Sequence, residues 1–410
     1  MNKIEIVFFT IFFLFACKTY NIYEAQPIDV KISKVGDRTY LKGAAVFSLP
    51  NQFVWCGSPI EVNRTHYLFF SKWNSGKDNP PFEDGWLIHS EIGLAKTNDL
   101  KKPFELIDIL LKGRKEQGDS MTWDAQTVHN PHIRQFDDKY YLYYIGSRDV
   151  GVQAKGSSGE NVKLRDRIQQ NQQMGVLVFE SFEKLVKGDF KRFDTPLLTP
   201  RTRVKQNNVI NPSPVGTLTK PDNMVVVNPS VLKRPTDGKY LLYFKGNQFD
   251  PTWRGVHGVA IGDTPLGPFT ALDQFIFDIK DAQGKKVSAE DPYVWYNKKE
   301  KLFYAVLKDF TGKLTGGESG LAMMVSVDGI DWQPAHQRLF MKKELILMDG
   351  THLKVANLER PHVVTDKNGE PTMLFAACSV ENVGGKRDGS TFNVHIPIKV
   401  KKVKIRDRGK

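Results

Sequence analysis

The chain has 410 residues, 40% of them apolar and 11% aromatic, which excludes a disordered chain and suffices for two or three average domains or one large repeat domain. Its formal net charge of +12 indicates either an anionic partner or a solubilising surface. The export signal described next excludes nucleic acid, so an anionic polysaccharide or an anionic lipid is the expected partner.

The first 16 residues predict an export signal. Lys3 precedes the apolar run IVFFTIFFLFA (residues 6–16), which has the length of a signal-peptide core and is too short to span a bilayer. The run ends in LFAC (14–17), which resembles a bacterial lipobox and implies cleavage before Cys17 and a lipid on its thiol. We therefore expect an exported lipoprotein in the periplasm or outer membrane, tethered only by this lipid, with residues 17–39 as a linker. An ordinary secretory signal and an uncleaved anchor are the alternatives.

The remaining cysteines, Cys56 and Cys378, do not make a disulfide framework in a chain of this length. We expect them to be buried free thiols. The sequence contains no CxxC or HExxH spacing, so it predicts neither a structural zinc site nor a zincin.

A proline-anchored repeat occurs five times. Each copy is a proline, a short β-branched or aromatic strand, a turn and a second aromatic strand. The copies are CGSPIEVNRTHYLFFSKW, HNPHIRQFDDKYYLYYIGS, VNPSVLKRPTDGKYLLYFKGN, EDPYVWYNKKEKLFYAVLKDF and ERPHVVTDKNGEPTMLFAAC. Their prolines are Pro59, Pro131, Pro229, Pro292 and Pro361.

A second strand pattern lies between these copies, as in SEIGLAKTNDLKKPFEL and SGLAMMVSVDGIDWQPA. Each unit therefore predicts about four short strands, and only KLRDRIQQNQQM reads as a short helix or a loop. Five such units predict an all-β fold, a five-bladed β-propeller over residues 40–410. We expect the segment TYLKGAAVFSLP to pair into the last blade and close the ring.

The prolines also predict a site. Proline has no N–H to donate and suits the first residue of a strand, and the inner strands of a propeller all start at one face. Residues just before the prolines are thus expected to cluster around the axis, unless they only cap strands or bridge blades. One step before stand Ser58, Asn130, Asn228, Asp291 and Arg360, and two steps before stand Gly57, His129, Val227, Glu290 and Glu359.

The Asp-Pro and Glu-x-Pro pairs resemble those of five-bladed β-propeller glycoside hydrolases, families 43 and 117 above all, over about residues 55–397. The resemblance implies a glycosidase with three carboxylates, in which Asp291 of EDPY tunes the pKa and Glu359 of ERPH is the acid. The third carboxylate, the base, is missing from its place, because Ser58 stands where those families carry a first-blade aspartate. We expect Asp124 of TWDAQTVHNP to replace it. The other candidates are Glu83, Asp84, Glu91 and Glu290.

Further side chains are expected to bind the substrate. Cations beside the carboxylates favour an anionic glycan, sulfated or uronate-containing, and tryptophans favour stacking on a sugar ring. The candidates are Ser58, His89, His129, Asn130, Asn228, Lys245, Lys308, Arg360, Trp55 and Trp123. Structural hydrogen bonds, solvated rim charges and core packing are the alternative roles for the histidines, lysines and tryptophans.

The resemblance implies exo-action with inversion on an oligosaccharide or polysaccharide. We expect no cofactor, although a divalent cation in the axial channel, beside His129, Asn130 and Asn228, is an alternative that some relatives suggest. The missing first-blade aspartate also allows a non-catalytic, glycan-binding lipoprotein. A scaffold for protein contacts is a third alternative, against which the clustered carboxylates argue.

Overall fold

The structure is a computed structural model that describes residues 17–35, 38–249, 252–281 and 283–406. The expected export signal, residues 1–16, lies outside the described residues. Within the described ranges, every helix is too short or too polar to cross a bilayer.

Five antiparallel sheets form the body of the fold, and they are the blades of the predicted five-bladed β-propeller. The N-terminal strands are β1 (Cys17–Ala25), β2 (Lys31–Val35), β3 (Arg38–Lys42) and β4 (Val46–Phe47). Blade 1 holds β5 (Gln52–Val62), β6 (Thr65–Asn74), β7 (Glu91–Thr97) and β8 (Glu105–Leu111), and blade 2 holds β9 (Thr127–Phe136), β10 (Lys139–Ser147), β11 (Gln173–Phe179) and β12 (Lys191–Arg192). Blade 3 holds β13 (Val227–Lys233), β14 (Tyr240–Phe249), β15 (Trp253–Gly262) and β16 (Thr270–Ala271), and blade 4 holds β17 (Ala289–Asn297), β18 (Leu302–Asp309), β19 (Gly320–Ser326) and β20 (Gln333–Lys342). A hairpin of β21 (Glu344–Ile346) and β22 (His352–Lys354) leads to blade 5, which holds β23 (Asn357–Thr365), β24 (Pro371–Ser379) and β25 (Phe392–Arg406).

The core lies between the blades, because each sheet is covered on both faces by its neighbours. Strand β10 shows how the sequence achieves this, since alternate side chains of a strand point to opposite faces. Tyr140, Leu142 and Tyr144 pack in the apolar cluster between blades 1 and 2. Tyr141 and Tyr143 pack in the cluster between blades 2 and 3. A strand that is apolar on both faces therefore serves two interfaces at once.

The ring closes in blade 5 with strands from the N-terminal region. Strand β1 pairs with the end of β25, from Cys17 opposite Arg406 to Ala25 opposite Ile398. As expected, TYLKGAAVFSLP contributes a strand to this blade, since β4 pairs with β25. The expected linker of residues 17–39 is corrected by the structure, because β1 belongs to the propeller. It is held there by Tyr23, which is 2% exposed and packs against Phe340 at a ring distance of 5.8 Å.

The described helices are few and short. The segment KLRDRIQQNQQM, expected to be a short helix or a loop, contains helix α2 (Leu164–Gln170), while α1 (Phe82–His89) and α3 (Phe182–Val186) were not predicted. None of these helices has enough turns to give a periodic pattern that stands out in the sequence.

Every inner strand carries a β-bulge beside the axis, where the strand pairing shifts and one residue has a positive φ. These residues are Cys56 (55°), Asn130 (51°), Asn228 (60°), Asp291 (59°) and Arg360 (53°). In blades 2 to 5 the predicted proline follows directly. It lies inside the strand rather than at its start, and its missing N–H removes no ladder hydrogen bond at the bulge.

In blade 1, Gly57 takes the place of that proline. A Cβ atom at Gly57 would lie 2.9 Å from Asn393 Oδ1, and the Gly57 N–H donates to the same oxygen over 2.8 Å, so neither a larger residue nor proline suits the position. Pro59 falls two residues later, in regular pairing with Leu68. The predicted alignment of the first repeat is therefore offset, and Cys56, not Ser58, stands at the axis.

Candidate active site

A cavity of about 230 Å³ lies on the propeller axis, at the face where the inner strands begin. Each blade contributes to its wall the residue just before the bulge. These residues are Trp55, His129, Val227, Glu290 and Glu359. Trp73, Phe82, Trp86 and Trp253 extend the wall outwards. An enclosed pocket with aromatic walls and a few polar groups is the usual form of a site for a small molecule or a sugar.

The five bulge residues form the floor of this pocket and are joined by hydrogen bonds around the axis. Cys56 Sγ donates to Asn130 Oδ1 (2.8 Å), Asn130 Nδ2 to Asn228 Oδ1 (2.7 Å), and Asn228 Nδ2 to Asp291 Oδ1 (2.8 Å). Arg360 approaches from the other side: its side chain forms an ion pair with Asp291, and its backbone N–H donates to Asp291 Oδ2 over 3.2 Å. Asp291 thus accepts from both directions and holds the floor together.

The ionisation of the floor follows from its burial. Burial raises the pKa of the Cys56 thiol to about 12, so the thiol is a neutral donor. Burial also raises the pKa of Asp291, to about 6, against the opposing effect of the Arg360 guanidinium. Burial lowers the pKa of Arg360, but Asp291 and the other acidic groups around it together outweigh this effect, and the net shift is upwards. At neutral pH the floor therefore contains one ion pair among neutral donors.

This floor does not fit a divalent cation. The Arg360 guanidinium already supplies a positive charge there, and the amides of Asn130 and Asn228 are bonded to each other. His129 Nε2 lies 2.9 Å from Gln172 Nε2 rather than facing the axis with them. Within the described ranges, His, Cys, Asp and Glu nowhere form a group of three or more that is placed to hold a metal.

Two lysine–glutamate pairs repeat around the pocket wall. Lys245 of blade 3 donates to Glu290 of blade 4, and Lys308 of blade 4 donates to Glu359 of blade 5, each over 2.5 Å. The lysines occupy equivalent places, because Lys245 pairs with Val227 and Lys308 with Glu290 in the strand register. Lys308 Nζ also lies 3.7 Å from Glu290 Oε2. One ammonium therefore stands between the two glutamates.

These contacts set the ionisation of the wall. Burial alone would raise the pKa of Glu290, but Lys245, Lys308 and Arg360 together lower it to about 2. Burial likewise would lower the pKa of Lys308, and Glu359 and Glu290 reverse the shift and raise it. The wall thus holds Glu290 as a carboxylate and Lys308 as an ammonium ion.

Aromatic rings cover both lysines at the mouth of the pocket. Lys245 Nζ lies 4.6 Å from the centre of the Trp253 ring, and Lys308 Nζ lies 4.2 Å from the centre of the Phe310 ring. The two rings meet edge to face at 6.0 Å, and they remain 42% and 37% exposed. Deeper in the pocket, burial lowers the pKa of His129 to about 3, so its imidazole is neutral and packs edge-on against Trp86.

The structure brings most of the sequence-predicted residues together. Lys308 bonds to Glu359 of the wall. The residues that line the wall or the floor are Trp55, His129, Asn130, Asn228, Lys245, Glu290, Asp291, Glu359 and Arg360. Cys56 and Phe310 were among the residues that the sequence did not predict. Cys56 gave no signal because a glycine replaces its proline, and Phe310 directly follows a strand that reads as ordinary core.

Asp124, the expected base, is a correction, since it lies in the cluster between blades 1 and 2. It is 0% exposed, accepts from Tyr144 Oη over 2.8 Å, and pairs with Arg192 at 2.7 Å and Arg114 at 3.3 Å. Its neighbour Trp123 stacks on Tyr144 at 5.4 Å, away from the pocket. Through this carboxylate, Arg114 from the segment after β8 is joined to Arg192 of strand β12 in blade 2.

Other predicted residues also lie elsewhere. His89 lines a separate cavity at the rim with Lys72 and Glu91, which pair at 2.5 Å. Ser58 is 1% exposed and lies beneath the floor, where its hydroxyl is 3.1 Å from His362 Nδ1. A larger cavity, of about 990 Å³, lies on the outside of blade 4 and takes its lining from outer strands and turns rather than from the axis.

No protein-family model and no curated protein match this sequence. Solved structures do match. A family 117 glycoside hydrolase from the marine bacterium Zobellia galactanivorans is 14% identical, with 93% of this protein and 90% of that one covered at a TM-score of 0.53. A thermostable family-43 glycoside hydrolase is 11% identical, with 89% and 98% covered at 0.53. BT0996, solved as a complex with RGII, is 10% identical, with 90% and 92% covered at 0.53. At these identities the likeness establishes the fold: the protein is a five-bladed β-propeller of the kind that family 117 and family 43 glycoside hydrolases have.

Proposed function

We propose that the protein is a glycoside hydrolase whose active site is the axial pocket. The observation that carries this proposal is the pair of carboxylates, Glu290 and Glu359, on neighbouring inner strands in one aromatic-walled cavity. Glycoside cleavage needs two carboxyl groups, one to protonate the leaving oxygen and one to activate water or to attack the sugar. The fold shared with solved glycoside hydrolases supports the same class of reaction.

We assign the two roles from the charges around each group. Glu290, with a pKa of about 2, is a carboxylate at every working pH and suits the base. Glu359 is then the proton donor. Lys308, which bonds Glu359 and lies 3.7 Å from Glu290, has to turn towards Glu290 before Glu359 takes up its proton. Asp291 acts as a positioning residue, since it fixes Arg360 and the floor beneath both glutamates.

The shape and charge of the pocket support a class of substrate. The floor closes the pocket below the glutamates, which favours action at the end of a glycan over action in its middle. Lys245, Lys308 and Arg360 are each paired with a carboxylate, which favours a neutral sugar unit over a sulfated or uronate unit at the cleavage point. The expectation of inversion rests on the sequence resemblance, and NMR of the first-formed anomer tests it.

Paired substitutions test the proposal. Glu359→Gln keeps the size of the side chain and removes the proton donor, so turnover of a natural oligosaccharide should fall by about 10²-fold or more. A substrate with a good leaving group needs no acid, and it should restore activity to Glu359→Gln but not to Glu290→Gln. Glu91→Gln at the rim is the matched control and should keep wild-type activity. Wild-type turnover in Glu359→Gln would remove this residue from the reaction.

One observation favours a second function, the binding of a glycan without cleavage. Both glutamates of the wall are ion-paired, and the axial position of blade 1 holds the neutral thiol of Cys56. In that case a panel of oligosaccharides would include a ligand whose binding survives Glu359→Gln, and none would be hydrolysed by the wild type.

We also propose that the protein is exported and carries a lipid on Cys17, on the strength of the LFAC sequence after the apolar run. Labelling of expressing cells with a fatty-acid analogue should mark the wild type and leave Cys17→Ala unmarked. Label in Cys17→Ala would show that the lipid, if any, is attached elsewhere.

A further inference from the structure

A group of exposed lysines lies on the propeller outside the pocket. Beyond Pro397, strand β25 leaves β24 and pairs with β1 alone, so residues 17–25 and 398–406 form a two-stranded ribbon. The side chains of Lys399, Lys401, Lys402 and Lys404 on this ribbon are all exposed.

Blade 4 adds further lysines next to the ribbon. Asn21 Nδ2 donates to Glu300 over 2.9 Å, which places the ribbon against the turn between β17 and β18. Gln337 of β20 fixes it by bonding both the N–H and the carbonyl of Tyr23, at 2.7 and 2.9 Å. The exposed lysines of the turn are Lys298, Lys299 and Lys301. We call the ribbon lysines and these turn lysines the basic face.

Some negative charge offsets the basic face: Asp366 and Glu370 lie on the neighbouring turn of blade 5, where the Asn368 carbonyl accepts from the Lys298 N–H over 2.8 Å. Glu24 pairs with Lys401 at 2.6 Å, and Glu300 is taken up by Asn21 and the hydroxyl of Tyr304. The corresponding turn of blade 2 is different, since Asp137 and Asp138 there outnumber Lys139. The corresponding turn of blade 3 carries Arg234 and Lys239 against Asp237, so the lysines of the ribbon are what distinguish the basic face.

The basic face lies opposite the pocket. Strand β17 has Glu290 at its pocket end and Asn297 at the other, and the lysine turn follows Asn297. Strand β1 begins at Cys17, opposite Arg406, at the outer end of the ribbon. A lipid on Cys17 would therefore join the molecule on the side that carries the lysines.

We propose that the basic face docks on an anionic phospholipid surface and holds the axial pocket directed away from the membrane. Exposed lysines near an anionic bilayer each strengthen binding by about fivefold. Lipid fits better than a soluble polyanion because Val403 is 41% exposed among the lysines, where an apolar side chain gains from the membrane interface. The ribbon also ends at Cys17, directly after the apolar run of the sequence.

Lysine labelling on vesicles tests the proposal with the full-length protein. The protein is reconstituted in phosphatidylcholine vesicles with and without phosphatidylglycerol, treated with an amine-reactive reagent, and digested for mass spectrometry. Labelling of the seven lysines of the basic face should fall at least about fivefold when phosphatidylglycerol is present, and high salt should restore it. Lys77, Lys155 and Lys163, which are exposed on loops at the pocket face, should label equally in both vesicles.

A charge variant separates the basic face from the anchor. Lys399→Gln, Lys402→Gln and Lys404→Gln together should abolish the protection of Lys298 and Lys299, whereas the same change at Lys77, Lys155 and Lys163 should preserve it. Both variants leave residues 1–17 intact, so the anchor is common to them. Equal labelling of the basic face in the two kinds of vesicle would overturn the proposal. Stronger protection by a soluble sulfated polysaccharide than by the vesicles would assign the face to a polyanion instead.

Discussion

Each lysine of the pocket wall reaches across to the next blade, and this makes the charge state of one residue depend on its neighbour. Lys308 is the clearest case, because its ammonium bonds Glu359 and also lies close to Glu290. A buried ion with its partners removed is costly, whereas a paired one is tolerated. The pairing of Lys245 and Lys308 with Glu290 therefore has consequences for both pH and substitution.

The lowered pKa of Glu290 predicts how the free energy of unfolding depends on pH. Its ordinary pKa of 4.5 falls to about 2 in the folded state, so the unfolded state takes up a proton first as the pH falls. The stabilisation by Glu290 is complete above pH 4.5 and is lost between 4.5 and 2. In that range the free energy of unfolding of the wild type should fall relative to Glu290→Gln by up to about 3 kcal/mol, as measured by urea unfolding. A difference that is independent of pH would contradict the assignment.

The buried carboxylate of Asp124 predicts a structural role without a catalytic one. Asp124→Asn leaves Arg114 and Arg192 without their shared anion, and loss of one partner from a buried ion pair costs about 3 kcal/mol or more. We expect that loss in urea unfolding, with unchanged turnover per folded molecule below the transition. A fall of about 10²-fold in turnover with normal stability would instead return Asp124 to the reaction as its base.

At the scale of the strands, the pattern of the sequence accounts for the blades because each strand alternates side chains between two apolar interfaces. The sequence predicts four of the five axial positions correctly, because in blades 2 to 5 the axial residue directly precedes the proline at the bulge. Blade 1 has no proline at its bulge, because the close contact with Asn393 requires Gly57 at that position. Asn393 is distant in the sequence, so the residues around Gly57 give no sign of this contact. Asp124 was misplaced for the same reason, since its partners Arg114 and Arg192 come from two other segments.

The packing of Tyr23 predicts a local loss of stability around strand β1 when this side chain is removed. Tyr23→Ala deletes a side chain that is 2% exposed between blades 4 and 5, and a large-to-small change in a core costs about 3 kcal/mol. Hydrogen exchange should quicken at residues 398–404 of β25, which pair with β1, and stay slow at β9 and β10 in blade 2. Tyr20→Ala is the control, since this side chain is only partly buried and stacks on the exposed His336. Uniform quickening over all five blades would show that closure by β1 controls the whole ring.

Over the whole molecule, the ion pairs of the pocket and the lysines of the basic face lie at opposite faces of the propeller. The pocket face contains the paired ions of the wall and floor, and the opposite face contains the unbalanced lysines. The basic face therefore attracts anions on the side away from the pocket. At 0.1 M salt, this attraction is largely screened beyond about 10 Å. Inside the pocket, the ion pairs are short and partly buried, so salt has little access to them.

This division predicts that the two faces respond differently to ionic strength. Binding of a neutral oligosaccharide to the pocket, measured by calorimetry, should change less than about twofold between low and high salt. A sulfated oligosaccharide of the same sugars has to displace Glu290 or Glu359 from its lysine, so it should bind more weakly than the neutral one at each salt concentration. The protection of Lys298 and Lys299 on anionic vesicles, measured in the same buffers, should disappear at high salt and so serves as the control. Tighter, steeply salt-dependent binding of the sulfated oligosaccharide in the pocket would show that Lys245 and Lys308 exchange their glutamates for the ligand, and the preference for neutral sugars would then be wrong.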